Sequence, residues 1–199
     1  MLVVMARLKA PQRRDQILAV ATKLFASHGY EGTTTAAIAE AAGVTEPILY
    51  RHFAGKQALF MSIVQAMSEK TIRHWEVLIE GTSDPMEQIR RIARQFPEQI
   101  EHLSDAYHVL HGALANSSDE QVLAVIREHY KVKQAFFAKI IQTGQEAGHI
   151  RKDLDPNLPA WEIINLGIGY AMIWLNLPGL YGPIEPEAMI DLILDCLKE

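Results

Sequence analysis

The stretch at positions 43–56, Gly-Val-Thr-Glu-Pro-Ile-Leu-Tyr-Arg-His-Phe-Ala-Gly-Lys, constrains the fold of this chain more than any other. It follows a segment, Thr35 to Ala42, rich in alanine, the strongest helix former. Thr34 stands before that segment as an N-cap. Gly43 follows the segment, where a left-handed turn needs glycine. Thr45 is placed to cap a second short helix, and Pro47 falls in the first turn, where its missing N–H costs little. With Pro47 donating nothing, the Thr45 hydroxyl is expected to accept from the Ile48 N–H. Leu49 and Phe53 are four apart and turn inward, while Ile48, Arg51 and His52 lie on other faces. Ala39, Gly43 and Leu49 thus hold two helices at a tight corner. A helix-turn-helix of this kind places its second helix in the DNA major groove.

The flanks extend the same unit. Between Arg13 and His28 the apolar residues Ile17, Ala21, Leu24 and Phe25 form a helical stripe that Gly29 ends. After Gly55-Lys56 another helical pattern runs through Leu59, Phe60, Ile63, Val64 and Met67. Taken together, Ala-x-x-Leu-Phe-x-x-x-Gly-Tyr (Ala21 to Tyr30), Thr34, Ile38-Ala39, Ala42-Gly43-Val44, Leu49-Tyr50-x-His52-Phe53 and Lys56-x-x-Leu59 resemble the DNA-binding domain of the TetR family of bacterial repressors. The resemblance covers about a quarter of the chain, from Ile17 to Val64. It implies an all-α protein: an N-terminal three-helix DNA-binding domain over 1–56, a helical ligand-binding and dimerisation domain over 57–199, and a homodimer.

Within that resemblance, Tyr50, His52 and Lys56 match positions that contact the phosphate backbone. Glu46, Pro47 and Ile48 lead the recognition helix and are expected to set base preference. Thr34, Thr35, Thr45 and Arg51 complete the expected DNA-facing set. Two departures stand out. Ala37 replaces a carboxylate that often closes a capping box over Thr34, and Ala36 replaces a common basic or polar residue. Glu46 is unusual at this place. It cannot pair with phosphate; it accepts from a cytosine amino group, repels the wrong register, or only complements the helix dipole.

Charge supports a nucleic-acid partner once it is divided along the chain. The 199 residues carry a net charge of −5. Residues 1–60 hold seven Lys/Arg against four Asp/Glu, and residues 61–199 hold twelve against twenty. A basic head on an acidic body is expected to turn the head toward phosphate, with Lys9, Arg13 and Arg14 within reach. Arg7 and Lys9 also fit a merely solvated terminus. The single cysteine, Cys196, excludes an intrachain disulfide and fits a reducing cytoplasm. Met1 to Ala6 is too short for a signal-peptide core, and Met5 is an alternative start. The longest uncharged run, Ile163 to Ile184, contains Pro178 and Pro183, and its helical part is expected to end near Leu177, too short for a membrane span.

The remainder reads as helices separated by caps. Asp84 with Glu87 and Ser118 with Gln121 form expected capping boxes. Pro97 is expected to bend or end the helix through Ile89, Ile92 and Phe96. Gly144 and Gly148 are expected to loosen a long helix, and Asp155-Pro156 to start the next. Leu166 to Leu175 is apolar on every side, with small residues at 167, 169 and 171. Such a helix must be covered all round, and two copies of the last two helices are expected to pack about a two-fold axis.

Large side chains in the body suggest a pocket for a small, mainly apolar effector: Trp75, Phe96, Tyr107, Phe137 and Trp161, with His111, Gln134 and Asn165 as polar members. No metal or cofactor is expected. His108 and His111, three apart, lack strict ligand spacing. A di-iron enzyme would need Glu-x-x-His on two helices, and only Glu146-x-x-His149 matches, so no enzyme is expected. The expectation is a cytoplasmic, dimeric repressor that binds a palindromic operator and is released by its effector. The alternative is a dimeric helical carrier with a vestigial DNA head.

Overall fold

A computed structural model describes residues 10–198, and no strand occurs among them. The helices are α1 (Ala10–Gly32), α2 (Thr35–Ala41), α3 (Glu46–His52), α4 (Lys56–Ile79), α5 (Pro85–His102), α6 (Ser104–Asn116), α7 (Glu120–Glu146), α8 (Asn157–Asn176) and α9 (Pro186–Asp195). Arg7, Lys9 and the alternative start at Met5 lie outside the described residues.

The local rules that form the helices hold with some exchanges of partner. Gly29 breaks α1 at φ 75°, and Gly43 takes φ 64° between α2 and α3, a backbone that a side chain would strain. Asp84 caps α5 by accepting from the Met86 N–H at 2.9 Å, but the expected reciprocal bond is absent. The Asp84 N–H goes to Thr82 Oγ1, and Glu87 accepts instead from Arg91. The cap of α7 is Asp119, not Ser118: its carboxylate accepts from the Gln121 and Val122 N–H groups. Pro97 does not end α5, which runs on to His102, because Ile92 before it and Ile100 after it are both anchored in the core. Gly144 does more than loosen α7. A Cβ there would lie 2.7 Å from Ile150 Cδ1 and 2.8 Å from Pro85 Cγ, so the turn after α7 packs where only glycine leaves room.

Packing does not respect the sequence division at residue 56. One apolar cluster joins Ile17, Phe25, Ile38, Leu49 and Phe53 to Leu59 and Phe60, and continues into Leu110, Ile126 and Tyr170. α1 lies along α6, so head and body share a core. α4 takes part in both clusters: Phe60, Ile63 and Met67 belong to the first, and Trp75 to a second with Ile89, Phe137, Ile141 and Ile164. α7 packs on α4 and α8, and α9 packs on α5. Two ion pairs pin that last contact, Arg90 to Asp191 at 2.7 Å and Arg94 to Glu187 at 2.6 Å. By length and composition α8, with 20 residues, passes for a membrane span, contrary to the expectation of a shorter helix. Its Tyr170 and Ala171 are nevertheless buried in the bundle core, and Gly167 lets the Phe96 ring approach.

Candidate nucleic-acid interface and body cavity

The head presents α3 on a corner that its buried residues fix. Ile38, Ala39, Ala42, Leu49 and Phe53 are all buried, which locks α3 against α2 and leaves the opposite face of α3 to solvent. Thr34 caps α2, its hydroxyl accepting from the Ala37 N–H at 3.1 Å. Thr45 differs from the expectation. It holds the extended N-cap backbone, but its side chain makes no capping bond. The Ile48 N–H instead donates to the Thr45 carbonyl at 2.9 Å, since Pro47 at the start of the helix permits a tight first turn.

The exposed face of α3 carries Pro47, Ile48, Tyr50 and Arg51, with Ile48 37% and Tyr50 50% exposed. His52 and Glu46 are half-buried. A short network ties this face to α2. The Thr35 hydroxyl donates to Glu46 Oε2 at 3.2 Å and lies 3.1 Å from the Tyr50 hydroxyl. Glu46 therefore does more than complement the helix dipole: it holds two groups of the reading face in register, and one carboxylate oxygen is left to accept. Sequence reasoning missed this network because its members are eleven and fifteen residues apart.

The cations around the head are partly committed. Lys56 Nζ donates to the Tyr30 carbonyl at 3.0 Å, stands 4.5 Å over the Tyr30 ring and lies 3.8 Å from Glu31 Oε2. It thus ties the start of α4 to the last turn of α1, beyond the break at Gly29. Arg14 covers the Phe53 ring at 4.6 Å and donates to Ser62, and Arg13 donates to Gln16 at 2.8 Å.

A partly open cavity of about 70 Å³ lies in the body between α4, α5, α6, α7, α8 and α9. Five expected ligand residues line it: Trp75, Phe96, Tyr107, His111 and Phe137. Three do not. Gln134 donates to Asn157 on the outer side of α7. Trp161 (39% exposed) and Asn165 face solvent. On an α-helix these two are four apart and share one face with Leu158, Gly169 and Met172, the face opposite buried Ile163, Ile164 and Tyr170. Small residues at 167 and 171 serve internal packing, and only Gly169 lies on the outer face.

The cavity also holds a group that sequence reasoning passed over. Lys133 is only 6% exposed and lines the wall. Its ammonium sits 5.8 Å from the Trp75 ring, 5.6 Å from Tyr107 and 5.9 Å from Tyr130, and no carboxylate pairs with it among the described residues. Burial pulls its pKa down to about 7. Burial, the Lys133 charge and His108 likewise pull His111 down to about 4, so His111 is neutral. His111 Nε2 and the Tyr130 hydroxyl are buried without a partner, whereas Trp75 donates to Gln99 and Gln99 to Tyr107. Helical spacing carried a signal here: Lys133 falls four before Phe137 and seven after Ile126, on the buried stripe of α7.

An exposed helix locked onto a capped partner, carried on a helical body with a cavity, has the architecture of a helix-turn-helix DNA-binding regulator. Residues 17–63 match the model for bacterial regulatory proteins of the tetR family. The repressor KstR2 of Mycolicibacterium smegmatis is 25% identical over 175 residues, covering 88% of this chain and 83% of its own. The fold resembles FadR, a fatty acid degradation regulator from Bacillus halodurans, with a TM-score of 0.79 at 21% identity over 95% of both chains. It also resembles AibR, solved with isovaleryl coenzyme A and operator DNA, with a TM-score of 0.69 at 22% identity, covering 94% of this chain and 98% of that one. Residues 17–63 thus match the TetR family's DNA-binding domain, and the rest of the chain resembles regulators of that kind in fold.

Proposed function

We propose that this protein represses transcription as a homodimer that reads a palindromic operator with α3 and lets go when an effector enters the body cavity. The observation that carries the proposal is the continuous core between head and body. α1 rests on α6, and α4 runs from the recognition unit to the cavity wall at Trp75, so a change in cavity packing reaches the head through packed helices. In this scheme residues 1–56 form the DNA head and 57–199 the effector and dimer domain. Glu46, Pro47 and Ile48 set base preference. Thr34, Thr35, Thr45, Tyr50, Arg51, His52 and Lys56 position the head on the backbone. Trp75, Phe96, Tyr107, His111 and Phe137 contact the effector. The outer face of α8, with Leu158, Trp161 and Met172, meets the second copy together with Leu192 of α9. An apolar stripe of this kind is what a dimer interface would cover.

The mechanism is a population shift. Operator binds the conformer whose two recognition helices sit about 34–36 Å apart, one turn of DNA. Effector favours a conformer with another spacing. By linkage, an effector that weakens operator binding must itself bind less tightly when operator is present. The test is a gel shift against DNA upstream of the protein's own coding region, with and without effector, across a range of salt. Equal affinity for operator and scrambled duplex at every salt concentration would sink the proposal and favour a carrier.

A further inference from the structure

We infer that the body cavity takes a slender apolar monocarboxylate, with Lys133 as the counter-ion and His111 and Tyr130 as hydrogen-bond donors to the carboxylate. The inference rests on the reading of this cavity as the effector site and specifies its ligand. An ammonium in an apolar interior is costly unless paired with an opposite charge. Lys133 is buried among three aromatic rings with no such charge supplied by the protein. Beside it, His111 Nε2 and the Tyr130 hydroxyl are two further buried polar atoms without a partner. Buried polar groups are normally satisfied, so an ammonium with no carboxylate beside it and two unpartnered atoms on the cavity wall mark the place of a missing acceptor. Thr71 Oγ1 and His129 Nε2 are also unpartnered but do not line the cavity. A carboxylate has two oxygens and about four acceptor sites, enough for all three donors once His111 carries its proton on Nε2. A neutral alcohol or an acyl thioester brings one oxygen and no charge.

The surroundings select the rest of the ligand. The groups near Lys133 are His111 and Tyr107 from α6 and His129 and Tyr130 from α7, and Tyr170 of α8 lines the same cavity. α4, α5 and α9 contribute Trp75, Phe96 and Met189, and no acidic side chain lines the wall among the described residues. His129 adds no charge, since burial holds its pKa far below the ordinary value and its Nδ1 is bonded to Ser68. The lining is otherwise aliphatic and aromatic, and the space of about 70 Å³ is smaller than the ~150 Å³ that holds one benzene, so only a slender ligand enters, and only as the walls give way. The ligand must meet a protonated lysine. Above pH 7 the free protein has largely lost that proton, so binding takes one up.

The experiment is calorimetric titration of the full-length protein with hexanoate and 3-phenylpropanoate, each against its alcohol, hexan-1-ol and 3-phenylpropan-1-ol, and against hexanoyl coenzyme A. At pH 6.5 the better acid should bind at least about tenfold tighter than its alcohol, the scale of one charge-assisted contact. Lys133→Met should abolish that preference. In the wild type, acid affinity should fall by about tenfold per pH unit between pH 8 and 9, while alcohol affinity stays level. This arm stands even if the variant folds poorly. Equal binding of acid and alcohol, a preference that survives Lys133→Met, tighter binding of the thioester than of the acid, or no binding of either acid each overturns the assignment. A gel shift on the same preparations separates this failure from that of the regulator: operator binding that persists leaves the proposed function standing and removes only the carboxylate.

Discussion

Lys133→Met should make the free protein more stable, by an amount that shrinks as pH rises. The ammonium has an ordinary pKa of 10.5, and burial holds it at about 7 in the folded state. The unfolded chain therefore binds more protons than the folded one between those values, and stability rises with pH through that window. The gap of about 3.5 pH units, at about 1.36 kcal/mol each, gives a penalty of about 5 kcal/mol well below pH 7. It falls to about 4 kcal/mol at pH 7, about 3 at pH 8.5 and about 1 at pH 10, as upper figures. Methionine keeps the unbranched stem against Trp75 and Tyr107 and removes the charge, so the variant gains up to these amounts. Urea unfolding of both proteins at pH 7, 8.5 and 10 measures the difference directly, and groups that titrate alike in both cancel. A difference that does not change with pH, or a variant less stable at pH 7, would show that the ammonium is solvated and the reasoning about the cavity is wrong.

Three further outcomes are expected. Leu49→Ala empties a fully buried position that locks α3 and should cost about 2–5 kcal/mol in urea unfolding, with loss of operator binding at the growth temperature. Lys56→Ala should weaken binding to every DNA sequence and flatten the salt dependence by about one unit of slope, with a lower melting temperature from the lost tie to Tyr30, whereas Glu46→Ala should change base preference with little effect on that slope. Trp161→Glu on the outer face of α8 should yield a folded monomer by light scattering and a parallel loss of operator affinity; an unchanged dimer would move the interface elsewhere.

The head was legible because its information is local. The N-cap at Thr34, the turn at Gly43, the early Pro47 and the inward pair Leu49 and Phe53 each act within one or two helical turns, and each recurs in the structure. Local chemistry also failed in small ways. Asp119 outcompeted Ser118 as a cap, and Pro97 stayed inside α5, because packing on either side fixed the backbone. The cavity was only partly legible. Size and apolar character marked Trp75, Phe96 and Phe137 for the interior, but did not show that Trp161 and Asn165 turn outward. On a helix apolar all round, the periodic signal that separates inside from outside is lost. Sequence alone determined the residue types and the recognition unit, since those depend on neighbours in the chain. Only the tertiary structure decided that Lys133 has no counter-ion, that Glu46 meets Thr35 and Tyr50, and that head and body share one core. Each of these depends on which groups from distant segments exclude water from the same place.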